Sequence, residues 1–193
     1  GALLYGLDRL EEAEKSYKKT IELKPDFAEG HYNLAITLQK LNKLEEAEKN
    51  YKKAIEIKKD FDVAYNNLAN IQKNLSRLEE AEKNYRKAIE LKPDYAEAHN
   101  NLGITLQKLD KLEDSELSHK KAIELKPNFA EGHFNFGVLL QKLNKTNEAE
   151  LIYKKVIELN PNFTKAHNNL GIMQAQLGKL NEAATSFKKA IEL

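Results

Sequence analysis

Apolar residues recur along this chain in two alternating helical stripes. One carries Leu34, Ala35 and Leu38, and the other carries Ala47, Tyr51, Ala54 and Ile55 at i, i+4, i+7 and i+8. Both spacings put the apolar side chains on one face of an α-helix and leave the charged residues outside. Whole segments repeat with the stripes: KLEEAEKNYKKAIEIK at 43–58 returns as RLEEAEKNYRKAIELK at 77–92 and KLEDSELSHKKAIELK at 111–126. FAEGHYNLAITLQKL at 27–41 returns as YAEAHNNLGITLQKL at 95–109 and FAEGHFNFGVLLQKL at 129–143. Pro25, Pro93, Pro127 and Pro161 stand at multiples of 34 residues, with Lys59 in the missing slot.

Each 34-residue unit therefore predicts two helices. The first is expected to start after Asp26, Asp60, Asp94, Asn128 or Asn162 as side-chain N-caps, with Glu29, Glu97 and Glu131 completing capping boxes. It is expected to end at Leu41 and its counterparts. The following Asn42, Ser76, Asp110, Asn144 and Gly178 mostly tolerate a left-handed turn. The second helix is expected to stop at the proline slot. Small residues recur at Ala35, Ala69, Gly103, Gly137 and Gly171, and again at Ala47, Ala81, Ala149 and Ala183, which predicts close helix–helix seams. One such pair cannot bury both apolar faces, but stacked neighbours can.

The matched slots in the third full unit are Leu102, Gly103, Ala122 and Pro127, with Ser115 where a small Ala and His119 where a Tyr is usual. With these residues in register over five full or nearly full copies, the chain resembles the tetratricopeptide repeat (TPR) family. The resemblance implies an all-α, right-handed superhelix, an α-solenoid of antiparallel helix pairs. A single array over 1–193 is expected, with a partial repeat at 1–27, then 28–61, 62–95, 96–129, 130–163 and a nearly complete 164–193. The register places both chain ends inside repeats, so the array is read as part of something longer.

Composition narrows the chemistry. Lys+Arg total 31 and Asp+Glu 30, a net charge of +1, which lacks the basic excess of a nucleic-acid binder. There is no cysteine, hence no disulfide, thiol nucleophile or cysteine metal site. No apolar run is long enough to span a membrane. No glycine-rich phosphate loop, nucleophile elbow or nucleophile–base pair occurs, so neither a cofactor nor catalysis is expected. The compartment expected is the cytoplasm.

Four of the five histidines, His31, His99, His133 and His167, share one slot, and His119 stands apart. A one-unit spacing is too long for rings to share a metal, and the family resemblance makes the slot one of aromatic packing. Lys49, Lys52 and Lys53 alternate with Glu on the second helix and read as a solvated outer face with i, i+4 support. Tyr51, Tyr85, Tyr153 and Phe187 in one row, and Phe27, Phe61, Tyr95, Phe129 and Phe163 in another, read as packing residues.

The informative row is Asn33, Asn67, Asn101, Asn135 and Asn169, on the first helix opposite its packing stripe. Asn costs about 0.5–0.7 kcal/mol against Ala in a helix interior, so the row forgoes roughly 3 kcal/mol. An amide can both donate to and accept from a peptide backbone, and the alternative is that it bonds to the neighbouring helix. Ile36, Asn70, Ile104, Val138 and Ile172 follow three residues later, which predicts an amide-rich groove with an apolar floor. The slot before the row holds Tyr32, Asn66, Asn100, Phe134 or Asn168, not the lysine of carboxylate-clamping TPR co-chaperones. The unbroken asparagine row is closer to the repeat arm of O-linked N-acetylglucosamine transferases, where the resemblance implies an asparagine ladder for client peptides. The expectation is a scaffold that binds an extended peptide or partner protein in a concave groove. The alternatives are a structural unit stacking end to end and the targeting arm of a larger enzyme.

Overall fold

The computed structural model describes residues 1–193 and is all-helical. Its twelve helices run α1 (Ala2–Gly6), α2 (Leu10–Leu23), α3 (Ala28–Lys40), α4 (Leu44–Ile57), α5 (Asp62–Asn74), α6 (Leu78–Leu91), α7 (Ala96–Lys108), α8 (Leu112–Leu125), α9 (Ala130–Lys142), α10 (Thr146–Leu159), α11 (Thr164–Gln176) and α12 (Leu180–Glu192). Two compact units divide between Pro93 and Asp94: helices α1 to α6 form one and α7 to α12 the other. Odd-numbered helices are the first members of the hairpins and even-numbered helices the second.

The stripes read from the sequence are the core. In the first unit Leu34, Ala35, Leu38, Ala47, Tyr51 and Ala54 are buried together. In the second, Phe136, Leu139, Leu140, Ala149, Tyr153, Leu170 and Met173 form the equivalent cluster. The seam between helices of a pair is close. A Cβ placed on Gly137 would lie 2.7 Å from the Tyr153 ring, and one on Gly103 would lie 2.8 Å from His119. Glycine there lets a ring approach the helix more closely than a side chain would allow.

Each hairpin turn is a Schellman motif. The Asn42 N–H donates to the Gln39 carbonyl and the Lys43 N–H to the Leu38 carbonyl, at 3.0 and 2.9 Å. The left-handed residue between is Asp8, Asn42, Ser76, Asp110, Asn144 or Gly178, with φ between 57° and 74°. Asn and Asp tolerate this conformation best after glycine.

The other helix ends correct the expected caps. The residues that cap the first helices are Phe27, Phe61, Tyr95, Phe129 and Phe163, and none makes a side-chain cap bond. Asp26 and its equivalents fall one residue earlier, inside the turn, where the Phe27 N–H closes on the Lys24 carbonyl at 3.2 Å. The capping boxes do not form either. Glu29 instead reaches Lys58 at 3.3 Å and Glu97 reaches Lys126 at 2.7 Å, tying the two outer ends of one hairpin. The proline is not what stops the second helix, because α4 ends at Ile57 where Lys59 replaces it. Proline's fixed φ suits a turn that forms without it.

Candidate functional site

All ten residues of the expected groove are half-buried: Asn33, Asn67, Asn101, Asn135 and Asn169, with Ile36, Asn70, Ile104, Val138 and Ile172. Ile36 and Ile172 rest on the cores of their own units, which gives the aliphatic row a fixed base. The first helices hold these side chains one repeat apart because each helix is locked by its buried stripe.

The asparagines are also tied into the array. Asn67 Nδ2 donates to the Tyr32 hydroxyl at 3.1 Å, and Asn135 Nδ2 donates to Asn100 Oδ1 at 3.2 Å, each reaching 35 residues back into the preceding repeat. Asn169 donates to the Tyr153 hydroxyl at 3.1 Å, since Phe134 stands where an acceptor would be. The row therefore has an internal role that its spacing alone did not require. A side-chain amide has two N–H donors and an acceptor oxygen, so one bond inward orients it without exhausting it. Asn70 is committed inward, accepting from the Tyr85 hydroxyl at 2.6 Å. Gln39 and Gln141 accept from Tyr51 and Tyr153 in the same way, at 3.0 and 3.2 Å. Burial pushes the Tyr51 and Tyr85 phenols up and Tyr153 up to about 12, so these hydroxyls stay neutral donors.

Within the second unit a cleft of about 580 Å³ opens beside the asparagine row. Phe134, Phe187, Ala190 and Ile191 supply its apolar wall, and Asn168, Asn169 and Lys165 its polar rim. The Phe134 ring stacks on Phe163 with centroids 4.9 Å apart, which fixes that wall.

The histidine slot proves to be a hydrogen-bonding device where ring packing was expected. Nε2 of His31, His133 and His167 lies 3.0, 2.9 and 2.9 Å from the carbonyls of Pro25, Pro127 and Pro161. A carbonyl only accepts, so Nε2 carries the proton and each ring anchors the turn before its helix. No group of three His, Asp or Glu is placed to hold a metal ion.

A second set of residues escaped sequence reasoning. Glu14, Glu48, Glu116 and Glu150 lie low on the second helices, and two cations grip each of them. One is four residues on: Lys18, Lys52, Lys120 or Lys154, at 2.6 to 2.8 Å. The other opens the next repeat's second helix: Lys43, Arg77, Lys145 or Lys179, at 2.8, 2.6, 2.8 and 2.7 Å. Arg77 is bidentate and holds the Glu48 carboxyl down at about 2, with Lys52 adding to it. Lys18 with Lys43, Lys120 with Lys145, and Lys154 with Lys179 lower Glu14, Glu116 and Glu150. The signal was present as a Glu row and a Lys/Arg row offset by 29 residues, but an i, i+4 reading of one helix conceals it.

Comparison with known proteins agrees with this architecture. Family models described as tetratricopeptide repeat match residues 28–61, 50–83, 96–129, 130–163 and 152–185, and one described as TPR repeat matches 1–42 and 74–110. No curated protein matches the chain. Among solved structures, YrrB, described as a TPR protein with an unusual peptide-binding site, is 28% identical, covers 93% of each chain and has a TM-score of 0.76. PilF of Pseudomonas aeruginosa is 20% identical over 96% of this chain and 85% of its own, at 0.86. MamA of Desulfovibrio magneticus RS-1 is 20% identical over 86% and 94%, at 0.78. The last two likenesses speak for the fold alone. Family matches that together cover residues 1 to 185, three of them (28–61, 96–129 and 130–163) each spanning one observed hairpin, establish that the chain belongs to the tetratricopeptide repeat family.

Proposed function

We propose that the chain is a non-catalytic interaction module that holds an extended peptide or partner protein along its first helices. The observation that carries this reading is the half-exposed strip of amides over aliphatic side chains, Asn33, Ile36 and Asn67 in one unit and Asn101, Ile104, Asn135, Val138, Asn169 and Ile172 in the other. Asn67 and Asn135 are each braced from the preceding repeat, so a ligand meets donors whose rotamers are already set. The cleft beside Asn169 suits one bulky apolar side chain of that ligand. The likeness to YrrB, itself described as having a peptide-binding site, supports the same reading. So does the resemblance of the unbroken asparagine row to the repeat arm of O-linked N-acetylglucosamine transferases. The expected partner is protein rather than nucleic acid, the expected compartment the cytoplasm, and 1–193 is read as one array.

The test uses peptides selected on the wild-type chain from a random library displayed on phage. Replacing Asn67, Asn101 and Asn135 together with Ala is expected to weaken those peptides by about tenfold or more, since each lost hydrogen bond contributes roughly 0.5–1.5 kcal/mol. The thermal midpoint is read on the same variant, because the inward bonds of Asn67 and Asn135 are lost too. Undiminished affinity with a lowered midpoint would show the row to be purely structural and end the proposal.

A further inference from the structure

The outward face of the second helices carries a row that changes character between the units. In the first unit the slot holds Lys15, Lys49 and Lys83, all exposed. In the second unit it holds Leu117 on α8 and Leu151 on α10, each 66% exposed, and an exposed Thr185 on α12. The flanking charges are kept except at one position, where Asn147 stands four residues before Leu151 in place of an acid. Glu45 and Glu46 precede Lys49 as Glu113 and Asp114 precede Leu117, and Lys52 and Lys53 follow as Lys120 and Lys121 do. Around Leu151, Glu148 stands three residues before and Lys154 three after. The substitution thus sits at the centre of a charge pattern that is complete around Leu117 and keeps one acid and two lysines around Leu151, where packing within the unit asks for nothing apolar.

That pattern is self-complementary in one orientation. If two copies meet face to face about a two-fold axis perpendicular to the helices, α8 lies antiparallel to its own counterpart and α10 to its own. Leu117 then meets Leu117 and Leu151 meets Leu151. Residues three and four positions before each leucine face residues three and four positions after it, so Asp114 and Glu113 oppose Lys120 and Lys121, and Glu148 opposes Lys154. The parallel arrangement would set acid on acid. In the first unit the same docking would press Lys49 against Lys49, so the pattern there excludes it.

We propose that the outward face of α8 and α10 binds a second copy of this chain through an antiparallel, isologous contact centred on Leu117 and Leu151. Two helix faces cover less than the roughly 800 Å² per partner of a standard interface, so the association is weak, with a Kd on the order of 100 μM. The face is separate from the asparagine row and its role does not depend on the peptide proposal.

Sedimentation velocity over a concentration series bracketing that Kd tests the contact. The wild-type chain should shift from monomer toward dimer. The double variant Leu117→Lys, Leu151→Lys restores the first unit's residue at exposed positions, and should weaken dimerisation at least about tenfold. The absence of cysteine allows a test of register. Leu117→Cys should cross-link to itself under mild oxidation, whereas a mixture of Leu117→Cys with Leu151→Cys should yield mainly homodimers. A wild-type chain that stays monomeric, association unaffected by the two lysines, or heterodimers as abundant as homodimers would each overturn the proposal. Growth beyond the dimer that survives the double substitution would assign the association to the array ends, and would overturn it as well.

Discussion

The two units are built to one plan and differ in how they finish it. In the first, the hairpin seams pair Ala35 and Ala69 with Tyr51 and Tyr85, and both tyrosine hydroxyls find an acceptor. In the second, the seam residues are Gly103, Gly137 and Gly171, and the ring on Gly103 is His119. His119 is fully buried, and neither ring nitrogen has a hydrogen-bond partner. Its one aromatic neighbour is Phe136, with centroids 6.3 Å apart. The inter-repeat clasps differ too. Glu48 takes a bidentate arginine, while Glu116 and Glu150, like Glu14 in the first unit, take lysines. The lesson is that the repeat tolerates loss of a polar finish so long as volume and backbone approach are kept. The cost appears as stability.

The largest expected effect breaks the comparison at His119. Burial pushes its pKa from 6.5 down to about 4. A base whose folded pKa is depressed binds fewer protons in the folded state than in the unfolded one across that interval. Stability is therefore full above pH 6.5 and falls as pH drops toward 4, by on the order of 3 kcal/mol. His119→Tyr should abolish this loss, and should stabilise at neutral pH by roughly 0.5–2 kcal/mol. The new hydroxyl would stand twelve residues after Gln107, as Tyr51 stands after Gln39. Thermal midpoints of both proteins from pH 7 to 4 check it, and parallel curves would refute the burial argument.

A smaller effect separates the units from the other side. The Glu48 carboxyl is held at about 2, chiefly by Arg77. An acid whose folded pKa is depressed contributes stability that is complete above its ordinary value near 4.5 and is lost as pH falls through that value toward 2. Glu48→Gln should cost about 1–3 kcal/mol at pH 7, the range for a charge-assisted bond left without its ion. It should cost little at pH 2. Hydrogen exchange resolved by segment should place this loss in residues 1–93 and the His119 loss in residues 94–193. Exchange that rises equally in both would erase the distinction between the units.

The smallest effect concerns Ser115. A hydroxyl in a close-packed slot where a small Ala is usual destabilises unless it finds an acceptor. Ser115 is fully buried, yet it donates to the Gly103 carbonyl at 2.7 Å. Ser115→Ala should therefore cost about 0.5–1 kcal/mol and not stabilise. Denaturant titration has the precision to decide the sign.

Helix count, the packing stripes and the left-handed residues at the hairpin turns were all legible in the sequence. Each depends on short-range geometry: a 3.6-residue period, the steric limits on positive φ, and the need of a lone hairpin for neighbours. The asparagine row was legible as a row, with bonding to the neighbouring helix as one of its two readings, but the partners were not, because Tyr32 and Asn100 come within reach only when the preceding repeat is set beside them. The caps failed for a related reason. Asp26 has the right chemistry for a cap, but the turn that joins the helices claims it first. Residues 29 apart, such as Glu48 and Arg77, share nothing until the second helices lie side by side. The sequence by itself determined which residues face inward, since that is a property of one helix. Only the tertiary structure decided what the polar residues do, since a hydrogen bond or ion pair exists only where two backbones bring both partners within about 3 Å.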